Sequence, residues 1–177
     1  SSDQTIIVKD TTAPGITLLG DSDVSVLVGD SYTDAGATAS DSFDGDLTSE
    51  IVIVNPVDTN TPGVYVVTFD VSDNAGNAAT QVTRNVTVQS LQDATESISD
   101  SVGDLVTSGA LNNGNGNALQ SKLDNIIDKI DADKTKPAKN QLNAFIHQVQ
   151  DFIDSGKLTS AEGQPLIDAA QTIIDNL

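Results

Sequence analysis

Aspartate is the residue type in this sequence whose placement most strongly suggests chemistry. Five aspartates stand in turn-like stretches of the N-terminal half, and they are Asp10, Asp41, Asp44, Asp46 and Asp73. Ca²⁺ binds several oxygen ligands that converge from loops, and crowded carboxylates repel one another unless a cation lies among them. The five residues therefore predict a calcium site. The alternative is that each aspartate only forms its own turn, because Asp and Gly are common turn residues.

Catalysis is not predicted from the remaining polar residues. His147 is the single histidine, it follows the apolar pair Phe145-Ile146, and no Ser or Cys nucleophile is arranged around it. Two carboxylates could in principle cleave a glycoside. A sugar cleft is usually lined with aromatic rings, however, and the chain has only two Tyr, four Phe and no Trp. The sequence therefore predicts a protein that is not an enzyme.

The balance of charge limits the partners that the chain can bind. Its 177 residues include 26 acidic and 8 basic side chains, and the formal net charge is −18. Nucleic acid is excluded as a partner because a phosphate backbone is bound by Lys and Arg in quantity. Apolar runs such as Ile51-Val52-Ile53-Val54 are too short for membrane insertion. Cys is absent, so bound metal rather than disulfides would stabilise such a chain outside the cell.

The elements that must position the aspartates are predicted to be β-strands. Apolar and β-branched residues alternate at 23–28, 63–69 and 81–88, and turn sequences such as Asp44-Gly45 separate these stretches. Short strands without helical stretches between them indicate an antiparallel sandwich, here over residues 14–90. In an immunoglobulin-like topology the start of the first strand and two of the loops share one pole. That pole is where we expect the five aspartates to meet.

The second half of the chain changes to a helical period and contains an internal repeat. A shift of about 47 residues, without a gap, places Ser108-Gly109 on Ser155-Gly156 and Leu111 on Leu158. The repeated unit is helix, turn, helix, and two such hairpins predict a small helical bundle over residues 91–177. The predicted fold class is therefore α+β and multidomain, an antiparallel immunoglobulin-like sandwich followed by two repeated helix hairpins.

Residues 1–13 are predicted to form an orphan strand and a linker. Thr5, Ile6, Ile7 and Val8 are similar to the last strand of a preceding sandwich. An unpaired strand is a template for pairing with another chain. Two hypotheses follow for the strand at residues 3–9. It is donated to the sandwich of an identical copy, which gives a filament, or it marks where a longer protein was cut.

Several stretches of the chain occur together in known families. In the first half they are Asp10-Thr11-Thr12-Ala13-Pro14, Val28-Gly29-Asp30, residues 32–39, residues 44–48, residues 62–65 and residues 73–77. With these motifs, residues 14–89 resemble the bacterial immunoglobulin-like (HYR/DUF5011-type) domains of surface proteins. Residues from about 95 to 177 resemble the FIMAH-type helical domain, and the core of that match is residues 140–146, followed by 156–159. Both resemblances imply extracellular architecture, and neither implies a reaction.

The function predicted from the sequence is that of a non-catalytic, extracellular structural or adhesive protein of the cell surface. It is expected to be stabilised by Ca²⁺ and to assemble with identical copies through residues 3–9. The alternatives are a passive C-terminal spacer and a carbohydrate- or ligand-binding module of a larger secreted protein. The low aromatic content disfavours the carbohydrate alternative.

Overall fold

A computed structural model describes residues 9–177, and the predicted assembly residues Thr5–Val8 lie outside this range. The chain divides into two compact units. The first comprises the chain up to Val26 together with Ser31–Val88, and the second comprises Leu27–Asp30 together with Gln89–Leu177. The first unit is built from strands and the second from helices, as the change of period predicts.

The N-terminal unit contains two β-sheets. The first sheet has the order β1-β3-β4, with β1 at Gly15–Leu18, β3 at Ala37–Asp41 and β4 at Gly45–Asp46. The second has the order β2-β7-β6-β5, with β2 at Asp23–Leu27, β7 at Val82–Gln89, β6 at Gly63–Asp70 and β5 at Val52–Val54. Strands β1 and β3, β3 and β4, β5 and β6, and β6 and β7 pair in the antiparallel direction.

Alternation along the strands explains the core between the two sheets. In β6, Val67 and Phe69 are buried while Val64 and Val66 point outward, as the period of two in a strand requires. Side chains of both sheets meet in one cluster, formed by Ile16, Leu18 and Ala37 from the first sheet and Val67, Phe69 and Val86 from the second. The unit is thus a β-sandwich.

The C-terminal unit is a bundle of four helices. They are α1 (Leu91–Thr107), α2 (Asn113–Asp131), α3 (Thr135–Asp154) and α4 (Ser160–Asn176). Each helix packs on its neighbour in sequence, and α1 also packs on α4, which closes the bundle. Capping boxes begin α1 and α4, where Ser90 and Thr159 exchange hydrogen bonds with Asp93 and Glu162. Within residues 9–177, no helix is both long and apolar enough to cross a membrane.

The predicted repeat of helix hairpins is confirmed in the bundle. Two residues after the ends of α1 and α3 stands a glycine with positive φ, 79° at Gly109 and 71° at Gly156. Leu111 and Leu158 follow these turns and are both buried. Their backbone N–H groups donate to the carbonyls of Leu105 and Phe152, at N···O distances of 2.9 and 3.1 Å. The turns of the two hairpins therefore share the same glycine conformation and the same backbone hydrogen bond.

Candidate cation site

Three of the five predicted aspartates meet at one end of the sandwich. Asp10 lies just before β1, Asp41 is the last residue of β3, and Asp44 lies in the turn between β3 and β4. One carboxylate oxygen from each lies within 4.8 Å of those of the other two. The chain therefore brings three negative charges to one point from two separate segments.

Asp10 and Asp41 each use one carboxylate oxygen and leave the other free. Oδ1 of Asp10 accepts the backbone N–H of Thr12 at 2.9 Å, and Oδ1 of Asp41 accepts the N–H groups of Phe43 and Asp44 at 2.7 and 3.1 Å. Oδ2 of Asp10 and Oδ2 of Asp41 are buried and have no hydrogen-bond partner among residues 9–177. A buried polar atom without a partner costs about 1–3 kcal/mol. Turn formation thus accounts for one oxygen of each carboxylate, and the other oxygen is available to a ligand.

Asp44 is held by the loop that joins β6 to β7. Its Oδ2 accepts the backbone N–H of Asn74 at 2.9 Å, and its Oδ1 accepts the side-chain amide of Asn74 at 2.8 Å. These two bonds fix the direction of the carboxylate. They also join two loops that are about thirty residues apart in the sequence.

Asn77 ties the segment before β1 to the same loop. Its Nδ2 lies 3.4 Å from the carbonyl oxygen of Asp10, 3.2 Å from that of Thr12 and 2.6 Å from Oδ2 of Asp73. A side-chain amide has two N–H donors, so these three acceptors share them. The segment that carries Asp10 is therefore positioned by hydrogen bonds from the β6–β7 loop.

Asp73 and Asp46 lie outside the group of three converging carboxylates. Asp73 is buried and accepts the backbone N–H of Asn77 at 2.7 Å. Burial alone would raise the pKa of Asp73, but hydrogen bonds from Asn77 and the neighbouring backbone outweigh it and lower that pKa. Asp46 is exposed, and hydrogen bonds from the side chain and backbone of Thr48 lower its pKa. Both carboxylates thus stabilise loops.

Positive charge is scarce around the three carboxylates. Lys9 and Arg84 are the only basic residues between positions 9 and 88. Arg84 is 1% exposed and pairs with Asp34. Among residues 9–177, no Lys, Arg or His nitrogen lies within 4.0 Å of the Asp10, Asp41 or Asp44 carboxylates. An open cleft beside them is lined by Lys9, Asp10, Phe43, Asp44, Asn74 and Ala75. Such a site suits a hard cation, with water completing its coordination.

Arg84 and Asp34 form a buried ion pair that was not predicted from the sequence. The Arg84 guanidinium also donates to the carbonyls of Asp21, at 2.8 Å, and Leu19, and its carbon lies 5.6 Å from the centre of the Phe69 ring. Burial favours a higher pKa for Asp34, but hydrogen bonds led by that from Arg84 hold this pKa below its usual value. The alternation in β7 was an available signal, because Arg84 occupies an inward position between valines.

Two family models match the chain, one on each unit. Residues 16–88 match the bacterial surface protein Ig-like domain, and residues 95–175 match the FIMAH domain. The chain thus matches an Ig-like surface domain followed by a FIMAH domain. This confirms the resemblances found in the sequence and indicates a module of the cell surface or the extracellular space.

Two solved structures with similarity to this chain each cover 44% of it. One is the lipoprotein BT2262 from Bacteroides thetaiotaomicron, with 27% identity and a TM-score of 0.39 over 44% of this chain and 38% of that one. Another contains the M60 catalytic domain with two CBM51 domains from Clostridium perfringens ZmpB, with 22% identity and a TM-score of 0.35 over 44% of this chain and 8% of that one. A search of curated proteins found no match.

Proposed function

We propose that this chain is a non-catalytic structural module of a bacterial surface or secreted protein, and that its Ig-like domain binds Ca²⁺ between Asp10, Asp41 and Asp44. The observation that carries the proposal is the pair of buried, unpartnered oxygens, Oδ2 of Asp10 and Oδ2 of Asp41, in a group of three carboxylates. Surface Ig-like and FIMAH domains are generally non-catalytic, which supports a structural role.

The chemistry of the ligands favours calcium over other cations. All three side chains offer hard carboxylate oxygens, and neither Cys nor His lies in the group, so Zn²⁺ and copper are poorly matched. Mg²⁺ demands near-ideal octahedral geometry, whereas Ca²⁺ accepts irregular sets of six to eight oxygens. Ligands that come from a linker and a tight turn form such an irregular set.

Bound calcium would have a mechanical effect on the domain. Asp10 belongs to the segment before β1, whereas Asp41 and Asp44 belong to the end of β3 and the following turn. A cation between them would replace the mutual repulsion of the carboxylates by attraction. It would thereby fasten the N-terminal segment to the body of the sandwich.

Calcium should raise the thermal stability of the Ig-like domain, and Asp41→Asn should remove this response. At a Ca²⁺ concentration of 100 times Kd, binding stabilises the folded state by about 2.7 kcal/mol. In chelator, the Asn variant should be more stable than the wild-type chain because it relieves the repulsion. Tyrosine fluorescence during thermal unfolding gives the measurement, since Tyr32 and Tyr65 are the only tyrosines and both lie in this domain.

Asp46→Asn is the matched control for the calcium experiment. Asp46 is exposed, and within residues 9–177 its carboxylate hydrogen-bonds only to Thr48, so its variant should keep the full calcium response. The same titration with Mg²⁺ should give a smaller shift. Equal loss of the response in both variants, or no response in the wild-type chain, would contradict the proposed site.

We also propose that copies of the chain assemble by donation of residues 3–9 to a neighbouring Ig-like domain. Thr5, Ile6, Ile7 and Val8 are uncharged and mostly apolar, like the stretches that form strands in the Ig-like domain. The receiving domain offers unpaired strand edges, because among the described residues β2 and β5 end the four-stranded sheet. Such edges accept a further strand through main-chain hydrogen bonds.

Removal of residues 1–9, or the substitution Ile7→Asp, should convert calcium-grown particles into monomers. A charge in the donated strand would have to be buried on insertion, which is costly. Sedimentation velocity measures the size, and helical circular dichroism at 222 nm verifies that the FIMAH domain stays folded. If the intact chain remains monomeric in millimolar calcium, the chain is instead a passive terminal module or a ligand-binding one.

A further inference from the structure

The outer face of the sheet at β5 and β6 exposes a group of valines. Val52 and Val54 of β5 and Val64 and Val66 of β6 are between 43% and 69% exposed. The register of the two strands places Val54 opposite Thr68, so all four valines lie on the outward face. We call these four residues the valine surface. Exposed apolar groups on one face of a sheet are a common feature of interaction sites.

The valine surface is free of charge, although the chain has a net charge of −18. The outward residues that continue it across β6 and β7 are Thr68, Thr83, Asn85 and Thr87. Asp70, at the end of β6, is the only outward charge on β5, β6 and β7. A second copy of this acidic chain can therefore approach this face with little electrostatic repulsion.

The core of the sandwich is open at the edge next to this surface. Strand β5 ends the sheet order, and in the described range 9–177 it pairs with β6 alone. Ile53 lies opposite Phe69, which is fully buried, so Ile53 belongs to the inward face. Its side chain is nevertheless 48% exposed. A strand added beside β5 would cover Ile53 and complete the inner layer.

We propose that the edge of β5 accepts residues Thr5–Val8 of a second copy, and that the valine surface packs against the same copy. This inference rests on the assembly proposed above and names the edge that receives the strand. The segment fits for two reasons drawn from the chain itself. Its four residues are enough to cover an edge strand of three residues, and its apolar side chains match the exposed Ile53 at that edge.

The surroundings of β5 restrict how the strand can be added. Pro56 follows β5 at a distance of two residues and has no N–H to donate, which ends the usable edge. Polar residues flank the donated segment on both sides, at Gln4 and Lys9. So short an edge gives few main-chain hydrogen bonds. Burial of the valine surface must therefore supply part of the affinity.

Disulfide trapping tests the proposed pairing, because the chain contains no Cys. One chain carries Ile7→Cys, or Ile6→Cys since adjacent residues face opposite sides, and a second chain carries Ile53→Cys. After mixing in calcium and mild oxidation, we expect a covalent heterodimer linked between the N-terminal segment and position 53. Thr17→Cys, on the exposed edge strand β1 of the other sheet, is the matched control and should give at least ten-fold less product.

The possible outcomes distinguish failure of the proposed acceptor, the edge of β5, from failure of assembly itself. Cross-links at position 17 would overturn the role of β5 but not strand donation. The same conclusion would follow if no cross-link forms at position 53 while the intact chain still forms particles. Absence of both particles and cross-links would overturn the two proposals together. A further chain carries both Ile7→Cys and Ile53→Cys. If it yields only a monomer with an internal disulfide, the N-terminal strand pairs with β5 of its own chain, and donation to a second copy is excluded.

Substitutions in the valine surface give an independent test that needs no introduced cysteine. Substitution of Val64 and Val66 by Thr keeps the β-branched shape and the exposed position, so the domain should stay folded. Particle formation in calcium should fall at least ten-fold. The paired control Thr83→Val, on the neighbouring strand, should leave assembly unchanged or strengthen it. Unchanged assembly in the double Thr variant would contradict the role of this surface.

Discussion

Replacement of Arg84 by methionine should destabilise the Ig-like domain by about 3–5 kcal/mol, because it leaves a buried carboxylate without its counter-charge. Asp34 would keep its hydrogen bonds from the Tyr32 hydroxyl and the Gly36 N–H but lose the guanidinium. The carbonyls of Leu19 and Asp21 would also lose their donor. Methionine approximates the length of the arginine stem, so the loss would reflect polar contacts rather than an empty cavity.

Two spectroscopic signals allow this loss to be assigned to one domain. Both tyrosines lie in the Ig-like domain, whereas the helices of the FIMAH domain dominate circular dichroism at 222 nm. In a urea titration, the tyrosine transition of Arg84→Met should move to lower urea while the helical transition stays in place. Thr83→Met, one residue earlier and exposed, is the control and should change stability by less than about 0.5 kcal/mol. A loss below about 1 kcal/mol in Arg84→Met would contradict the structural role of the pair.

Substitution of Gly163 by alanine should destabilise the FIMAH domain by about 1–3 kcal/mol through overpacking. A Cβ at this position would lie 2.6 and 2.7 Å from the side chain of Ile153 and 3.3 Å from that of Val149. Gly116 occupies the equivalent place in the first hairpin, and an added Cβ there would clash with the side chain of Val106. In both hairpins the absence of a side chain therefore lets the two helices approach each other.

The same substitution at Gly103 should act in the opposite direction. Gly103 lies inside α1, and the nearest atom to its added Cβ would be Nε2 of Gln120 at 3.6 Å, an ordinary contact. Alanine there should stabilise the helix by about 0.5–1 kcal/mol, because glycine loses more backbone freedom on folding. Urea unfolding followed at 222 nm compares the variants. The double variant Gly163→Ala/Ile153→Val should recover part of the stability lost in Gly163→Ala. If Gly163→Ala alone is as stable as the wild-type chain, the packing argument is wrong.

Much of the fold could be predicted from the sequence because local periodicity determined it. The alternation at 63–69 and 81–88 became the two long strands β6 and β7, since each of them buries one face. The hairpin repeat was visible because its turns need glycine at positive φ and its helices need glycine at their closest approach. The capping box at Thr159 is likewise local, because it needs only Thr159 and Glu162 three residues apart.

The details of the site could not be predicted, because they depend on contacts between distant segments. The sequence indicated five aspartates at one pole, but the direction of each carboxylate depends on hydrogen bonds within its own loop. Asn77 turns Asp73 into a loop-forming residue, and Asn74 directs Asp44 towards the other two carboxylates. The pair of Arg84 and Asp34 joins residues that are fifty positions apart, and no local pattern specifies that contact.

The distribution of basic residues has a consequence for the survival of the Ig-like domain among extracellular proteases. Enzymes that cleave after Lys or Arg find two such bonds between positions 9 and 88. The one after Arg84 lies in a central strand whose side chain is held inside the sandwich. Only the bond after Lys9 is exposed, and it lies beside the proposed calcium site. Trypsin-like cleavage of the folded domain is thus confined to one peptide bond, where calcium would control access.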